Sequence, residues 1–195
     1  MHVLIFGDSI TQGYDDYQVG GWANRLFTDI SARVDKENKD YISVFNLGID
    51  GDSTREILAR LENEIKPRLS DEMVFIFDMG GNDSARRGEG GGNYVPFEEF
   101  SNNYQKCITT AREYGQVLCL GLHESNEVLT DEDYNKYNSE IERLAEDNNV
   151  TFISMKGILS EDFENLTYDG DHPSPEGHRL IYERVRDTLK EGKII

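Results

Sequence analysis

Five short apolar runs, Val3–Phe6, Ile42–Phe45, Met73–Phe77, Val117–Leu120 and Val150–Ile153, punctuate the chain, and helical patterns lie between them. Each run is too short for a helix and rich in β-branched or aromatic residues, so each reads as a strand. Trp22, Leu26, Ile30 and Val34 recur at a spacing of four, as do Ile57, Leu61 and Ile65. Tyr137, Ile141 and Leu144 mark a further face on a helix from about Asp131 to Asp147. Ser53 and Glu56 have the spacing of a capping box, Pro67 closes the helix behind them, and Pro96 stands near the start of the next. A last helix starts at about Pro175, with Leu180 or Ile181, Val185 and Leu189 inward. Strands joined through helices lie parallel, with helices covering both faces. The predicted fold is α/β, a three-layer α/β/α sandwich on a central five-stranded parallel sheet. Met73–Phe77 is the most apolar run and is expected at its centre. No repeat or linker divides the sequence, so residues 1–195 read as a single domain.

Three of the strands end in clusters of Gly, Asn, Asp and Ser: Gly7–Thr11, Gly48–Ser53 and Gly80–Asp83. A fourth cluster, Asp169–His172, opens the final helix region. In open parallel sheets ligands bind at the edge where the strands end, so residues distant in sequence converge there. The first cluster delivers Ser9 to a tight turn. A serine hydroxyl is a poor nucleophile without a base for its proton and donors for the oxyanion. Alone, Ser9 would serve as an ordinary cap of the turn that follows. Here the other clusters supply a histidine, carboxylates and amide donors.

In order and spacing the four clusters resemble the motif blocks of the GDSL/SGNH hydrolase superfamily, with isoleucine at position 10 where the family name has leucine. The resemblance covers nearly the whole chain and implies a flavodoxin-like SGNH fold and a serine ester hydrolase. It implies Ser9 as nucleophile, His172 as general base and Asp169 as the acid that orients it. Asp169 is preferred over the adjacent Asp171 because the family block is Asp-x-x-His-Pro, matched through Pro173. The implied oxyanion donors are the Ser9 N–H, the Gly51 N–H and the Asn82 side-chain amide. Gly51 fits better than Gly48, one of the two being a turn residue. Asp8 supports the site rather than serving in the triad. His123, at the end of the fourth strand, is a pocket residue or a structural histidine. Arg86, with Arg87 and the glycine-rich stretch after it, is a pocket rim or a surface loop. His178 is expected to be structural or exposed.

The implied reaction cleaves small or medium carboxylic esters through an acyl-enzyme on Ser9, with short acyl groups preferred and no cofactor. An acyltransferase using the same triad is the nearest alternative. A catalytically silent binding protein on this fold would have been suggested by loss of Ser9, Asn82 or His172, and all three are present. A flavodoxin-like nucleotide binder is disfavoured by the absence of Gly-x-x-x-x-Gly-Lys-Ser/Thr and Gly-x-Gly-x-x-Gly. The histidines and acids lack the spacing of zinc or calcium motifs, so no metal is expected.

Charge bounds the partners. With 38 acidic against 20 basic residues the formal net charge is -18, which opposes binding to nucleic acid or an anionic membrane surface. No apolar run approaches the roughly 20 residues of a membrane span. The chain shows no signal peptide before its first strand, which points to the cytoplasm. Cys107 and Cys119 sit among apolar neighbours and read as buried free thiols. Nothing in the pattern fixes an oligomeric state.

Overall fold

The computed structural model describes residues 1–37, 41–85, 92–123, 125 and 132–195. Five strands, β1 (His2–Gly7), β2 (Ser43–Gly48), β3 (Met73–Asp78), β4 (Gln116–Leu120) and β5 (Thr151–Ile153), form one sheet in the order β2-β1-β3-β4-β5. Every pairing is parallel. β3 is central, as its composition predicts.

Alternation along the strands explains why they are apolar throughout. Leu4, Phe6, Phe75 and Phe77 point into one core, whereas Val3, Ile5, Val74 and Ile76 point into the other. Among the described residues eight helices surround the sheet or cap its edge: α1 (Ser9–Gln12), α2 (Gly21–Glu37), α3 (Thr54–Ile65), α4 (Gly81–Ser84), α5 (Phe97–Arg112), α6 (Glu132–Asp147), α7 (Phe163–Leu166) and α8 (Pro175–Glu191). The first core is closed by α3, α5 and α6, through residues such as Ile57, Leu61, Phe100, Tyr104, Tyr137 and Ile141. The second is closed by α2 and α8, through Trp22, Leu26, Ile30, Ile181, Val185 and Leu189. Of the two candidates for the first inward position of α8, Ile181 is the buried one. The side chain of Val34 lies outside the described residues.

Local signals behave as their chemistry requires. Ser53 caps α3 in a full capping box with Glu56, and a 3-10 turn over Lys66–Arg68 takes in Pro67 and ends that helix. Pro96 is the N-cap of α5. The one-turn helices α1, α4 and α7 were not foreseen, because four residues carry no readable period.

The register sets the site. Gly7 pairs with Gly48 on one side and with Asp78 on the other, so three strands stop in one row. The segments after them, carrying Ser9, Gly51 and Asn82, therefore emerge side by side. Close packing there demands glycine: a Cβ at Gly48 would lie 2.3 Å from the Gln12 nitrogen. In this strand order the switch in winding direction falls at β1 and β3, whose ends deliver Ser9 and Asn82.

Candidate active site

Asp8 caps α1 by accepting a hydrogen bond from the Ile10 N–H at 3.0 Å. That turn leaves Ser9 at the first helical position, where a backbone N–H has no partner within its helix. The Ser9 hydroxyl donates to His172 Nε2 at 3.0 Å, and His172 Nδ1 donates to Asp169 Oδ2 at 2.8 Å. Asp169 Oδ1 accepts the His172 and Asp171 backbone N–H groups at 2.8 and 2.9 Å. With its Nδ1 proton committed to Asp169, the neutral ring presents a bare Nε2 to the serine. Burial works against the Asp169 charge, but the backbone and ring hydrogen bonds of His172 and the Asp171 N–H outweigh it and pull the carboxyl down to about 2. Asp171 makes no bond to the ring of His172.

Asn82, in α4, stands across the row of strand ends. Its Nδ2 donates to the Asp52 carbonyl at 3.0 Å and makes a longer contact of 3.4 Å to Asp8 Oδ2. Arg60 braces the loop that carries Asp52, donating to the Asp52 carboxylate at 2.8 Å and to the Leu47 carbonyl at 2.7 Å. In the same loop the Gly48 N–H is occupied by Asn46 Oδ1 at 3.0 Å. Gly51 has φ 78°, a left-handed conformation that favours glycine, and a Cβ there would have open space around it. Among the described residues the Gly51 N–H makes no hydrogen bond.

Ser9, Asn82 and His172 open on a cavity of about 200 Å³, which Asp8, Asp78, Met79, Leu122, His123 and Tyr134 also line. His123 is thus a pocket residue; its Nε2 donates to the Asp171 carbonyl at 3.1 Å. Arg86 falls outside the described residues. His178 is fully buried in α8 and is structural: its Nε2 donates to the Tyr14 carbonyl at 3.0 Å, and burial pushes the ring down to about 4.

Four residues near the centre were not singled out from the sequence. Tyr14 lays its ring 4.8 Å from that of His172. Asp15, at φ 63°, brings a carboxylate oxygen within 4.8 Å of both Asp169 and His172. These three residues are the one set among those described that gathers potential metal-ligand atoms, though Asp169 and His172 are already bonded to each other. Asp78 accepts from Thr11 Oγ1 at 2.7 Å and from Trp22 Nε1 at 3.0 Å. Tyr134 donates its hydroxyl to the His123 carbonyl. A lone Asp at a strand end was the only signal for Asp78, and Tyr134 read simply as part of a helix.

Residues 5–180 match the family described as GDSL-like Lipase/Acylhydrolase. The isoamyl acetate-hydrolyzing esterase 1 homolog of Mus musculus is 28% identical over 203 residues, covering 92% of this chain and 78% of its own length. Among solved structures, the acetyl xylan esterase AlAXEase superposes with a TM-score of 0.77 at 24% identity, covering 97% of this chain and 100% of the other. A variant of the acetyl xylan esterase from Geobacillus stearothermophilus gives 0.75 at 21% identity, covering 97% and 93%.

Proposed function

The chain belongs to the GDSL-like Lipase/Acylhydrolase family and is a serine ester hydrolase, and from that premise we propose that it cleaves short-acyl esters of small molecules through an acyl-enzyme on Ser9. The observation that carries this reading is the unbroken chain from the Ser9 hydroxyl through His172 to Asp169, at 3.0 and 2.8 Å.

As Ser9 Oγ attacks the ester carbon, His172 Nε2 takes its proton, and Asp169 stabilises the imidazolium. The Ser9 N–H, the Gly51 N–H and the Asn82 amide hold the oxyanion. Asn82 is supported in this role by its anchor on the Asp52 carbonyl, and Gly51 by its unoccupied N–H where that of Gly48 is taken. His172 returns the proton to the leaving alcohol, and water, activated by the same base, then releases the acid. The Geobacillus acetylxylan esterase was crystallised as catalytic mutants of a serine, a histidine and an aspartate three positions before the histidine, the spacing of Asp169 and His172 here.

A preference for short acyl groups is supported by the small cavity and by the isoamyl acetate and acetyl xylan in the names of relatives and solved structures. No helix among the described residues is long and apolar enough to cross a membrane. The free, buried thiols of Cys107 and Cys119 fit a reducing compartment, and the cytoplasm is the proposed location. The whole chain is proposed to act as one domain.

Hydrolysis of p-nitrophenyl esters from acetate to palmitate, in wild type and Ser9→Ala, tests this. Short-chain activity abolished in the variant is the expected result; activity unchanged in Ser9→Ala overturns the mechanism.

A further inference from the structure

Among the described residues, the cavity beside Ser9 presents several acceptors that no donor fills. Asp78 sits at the end of the central strand, and both of its hydrogen bonds, from Thr11 and Trp22, fall on Oδ2. Among the described residues its Oδ1 accepts none. His123 spends its Nε2 proton on the Asp171 carbonyl, so in the neutral ring Nδ1 is a bare acceptor, and it too has no partner among the described residues. Asp171 lines the same cavity, and its Oδ1 is buried without a partner. Ser84, another lining residue, directs its hydroxyl proton at the Gly81 carbonyl. Apolar surface is supplied by Ile10, Met79, Ala85 and Leu122.

A pocket built to hold a plain alkyl group would not leave acceptors unpaired along its wall, because each costs free energy when an alkyl group displaces water from it. We propose that the part of the substrate seated in this cavity carries a hydroxyl group, received by Asp78 Oδ1 and His123 Nδ1. The proposal rests on the ester-hydrolase reading of the same site and names its substrate class: hydroxylated small esters. A neutral donor fits better than an ammonium group. A hydroxyl both donates and accepts, so it can pair with these groups whichever of them holds a proton, whereas an ammonium only donates.

The hydroxyl belongs either to the acyl group or to the alcohol, and two pairs of isosteric esters separate these. On the acyl side the pair is p-nitrophenyl 3-hydroxybutyrate and p-nitrophenyl 3-methylbutyrate, which exchange OH for CH₃. On the alcohol side it is 3-hydroxybutyl acetate and isoamyl acetate, which differ in the same way. With p-nitrophenyl acetate as reference, wild type is expected to favour the hydroxylated member of one pair by at least about tenfold in kcat/KM. The pair that shows it identifies which part of the substrate enters the cavity. That ratio should fall towards one in Asp78→Asn, and independently in His123→Phe should the first variant fail to fold. Ratios at or below one in both pairs, with p-nitrophenyl acetate turned over, overturn the proposal and leave the hydrolase reading standing. A preference unchanged in both variants overturns the assignment to Asp78 and His123. An ammonium analogue outrunning the hydroxyl ester overturns the choice of a neutral donor. Failure to turn over p-nitrophenyl acetate, or to label Ser9 with a fluorophosphonate, would count against the hydrolase reading itself.

Discussion

His178 Nε2 holds the Tyr14 carbonyl at 3.0 Å, joining α8 to the loop that follows Ser9 and α1. The Tyr14 ring in turn lies against His172, so a fully buried histidine outside the proposed triad fixes one wall of the proposed base. His178→Ala leaves a cavity and an unpaired carbonyl, and a loss of about 2–4 kcal/mol is expected. Urea unfolding of the two proteins measures it as a lower midpoint at unchanged slope.

Asp169 acts through His172. Replacing it with Asn removes the charge that steadies the imidazolium and permits the wrong tautomer. A fall of about 10⁴ in kcat is expected. Because the carboxyl lies at about 2, the acid limb of the wild-type pH–rate profile should not follow its titration. A stopped-flow pH series with p-nitrophenyl acetate tests both statements.

Asn82→Ala should lower kcat by about 10²–10³, the usual effect of losing one oxyanion donor, while KM changes little. A raised KM at unchanged kcat would instead place Asn82 in ground-state binding.

Stability should fall as the solution is made alkaline. Burial raises Asp83 to about 6 and Asp8 to about 8, both from the usual carboxylate value of 3.8. A raised acid holds its proton in the folded state after the unfolded chain has released it, so its contribution is full below about 4 and is lost up to the folded value. Asp169, pulled down to about 2, works the other way and contributes stability that is lost as pH drops below about 4. The thermal midpoint should therefore peak near pH 4. Asp8→Asn, which keeps a good N-cap residue, should flatten the decline between pH 6 and 8. Calorimetry across that range decides it.

Cys107 and Cys119 are buried, and desolvation pushes both thiols up, Cys119 to about 12. Neither should react with a thiol reagent in the native protein, and activity should be indifferent to reductant. Both should titrate in guanidinium.

Much of this was readable from residues alone, for a physical reason. The strand pattern and helical faces come from burial on both sides of one sheet, and burial writes itself into sequence as periodicity. The proposed triad was legible through the likeness of its motif blocks to those of the family, helped by Asp169 and His172 lying within one turn of chain and Ser9 sitting at a strand end. Asp78 and Tyr14 were not, because their importance comes from neighbours distant in sequence: Trp22 for one, His172 for the other. The choice of Gly51 over Gly48 rests on family likeness in sequence, and in the fold it is supported by the occupied N–H of Gly48.

Ser9 and His172 are 163 positions apart, and their bond closes a loop that takes in most of the chain. Contacts of that separation form late, since the intervening chain must be ordered first. The proposed nucleophile, just after β1, therefore meets its proposed base only when the segment before α8 has docked. Recovery of ester cleavage during refolding should trail the return of helical signal, making turnover a clock for the last step of assembly.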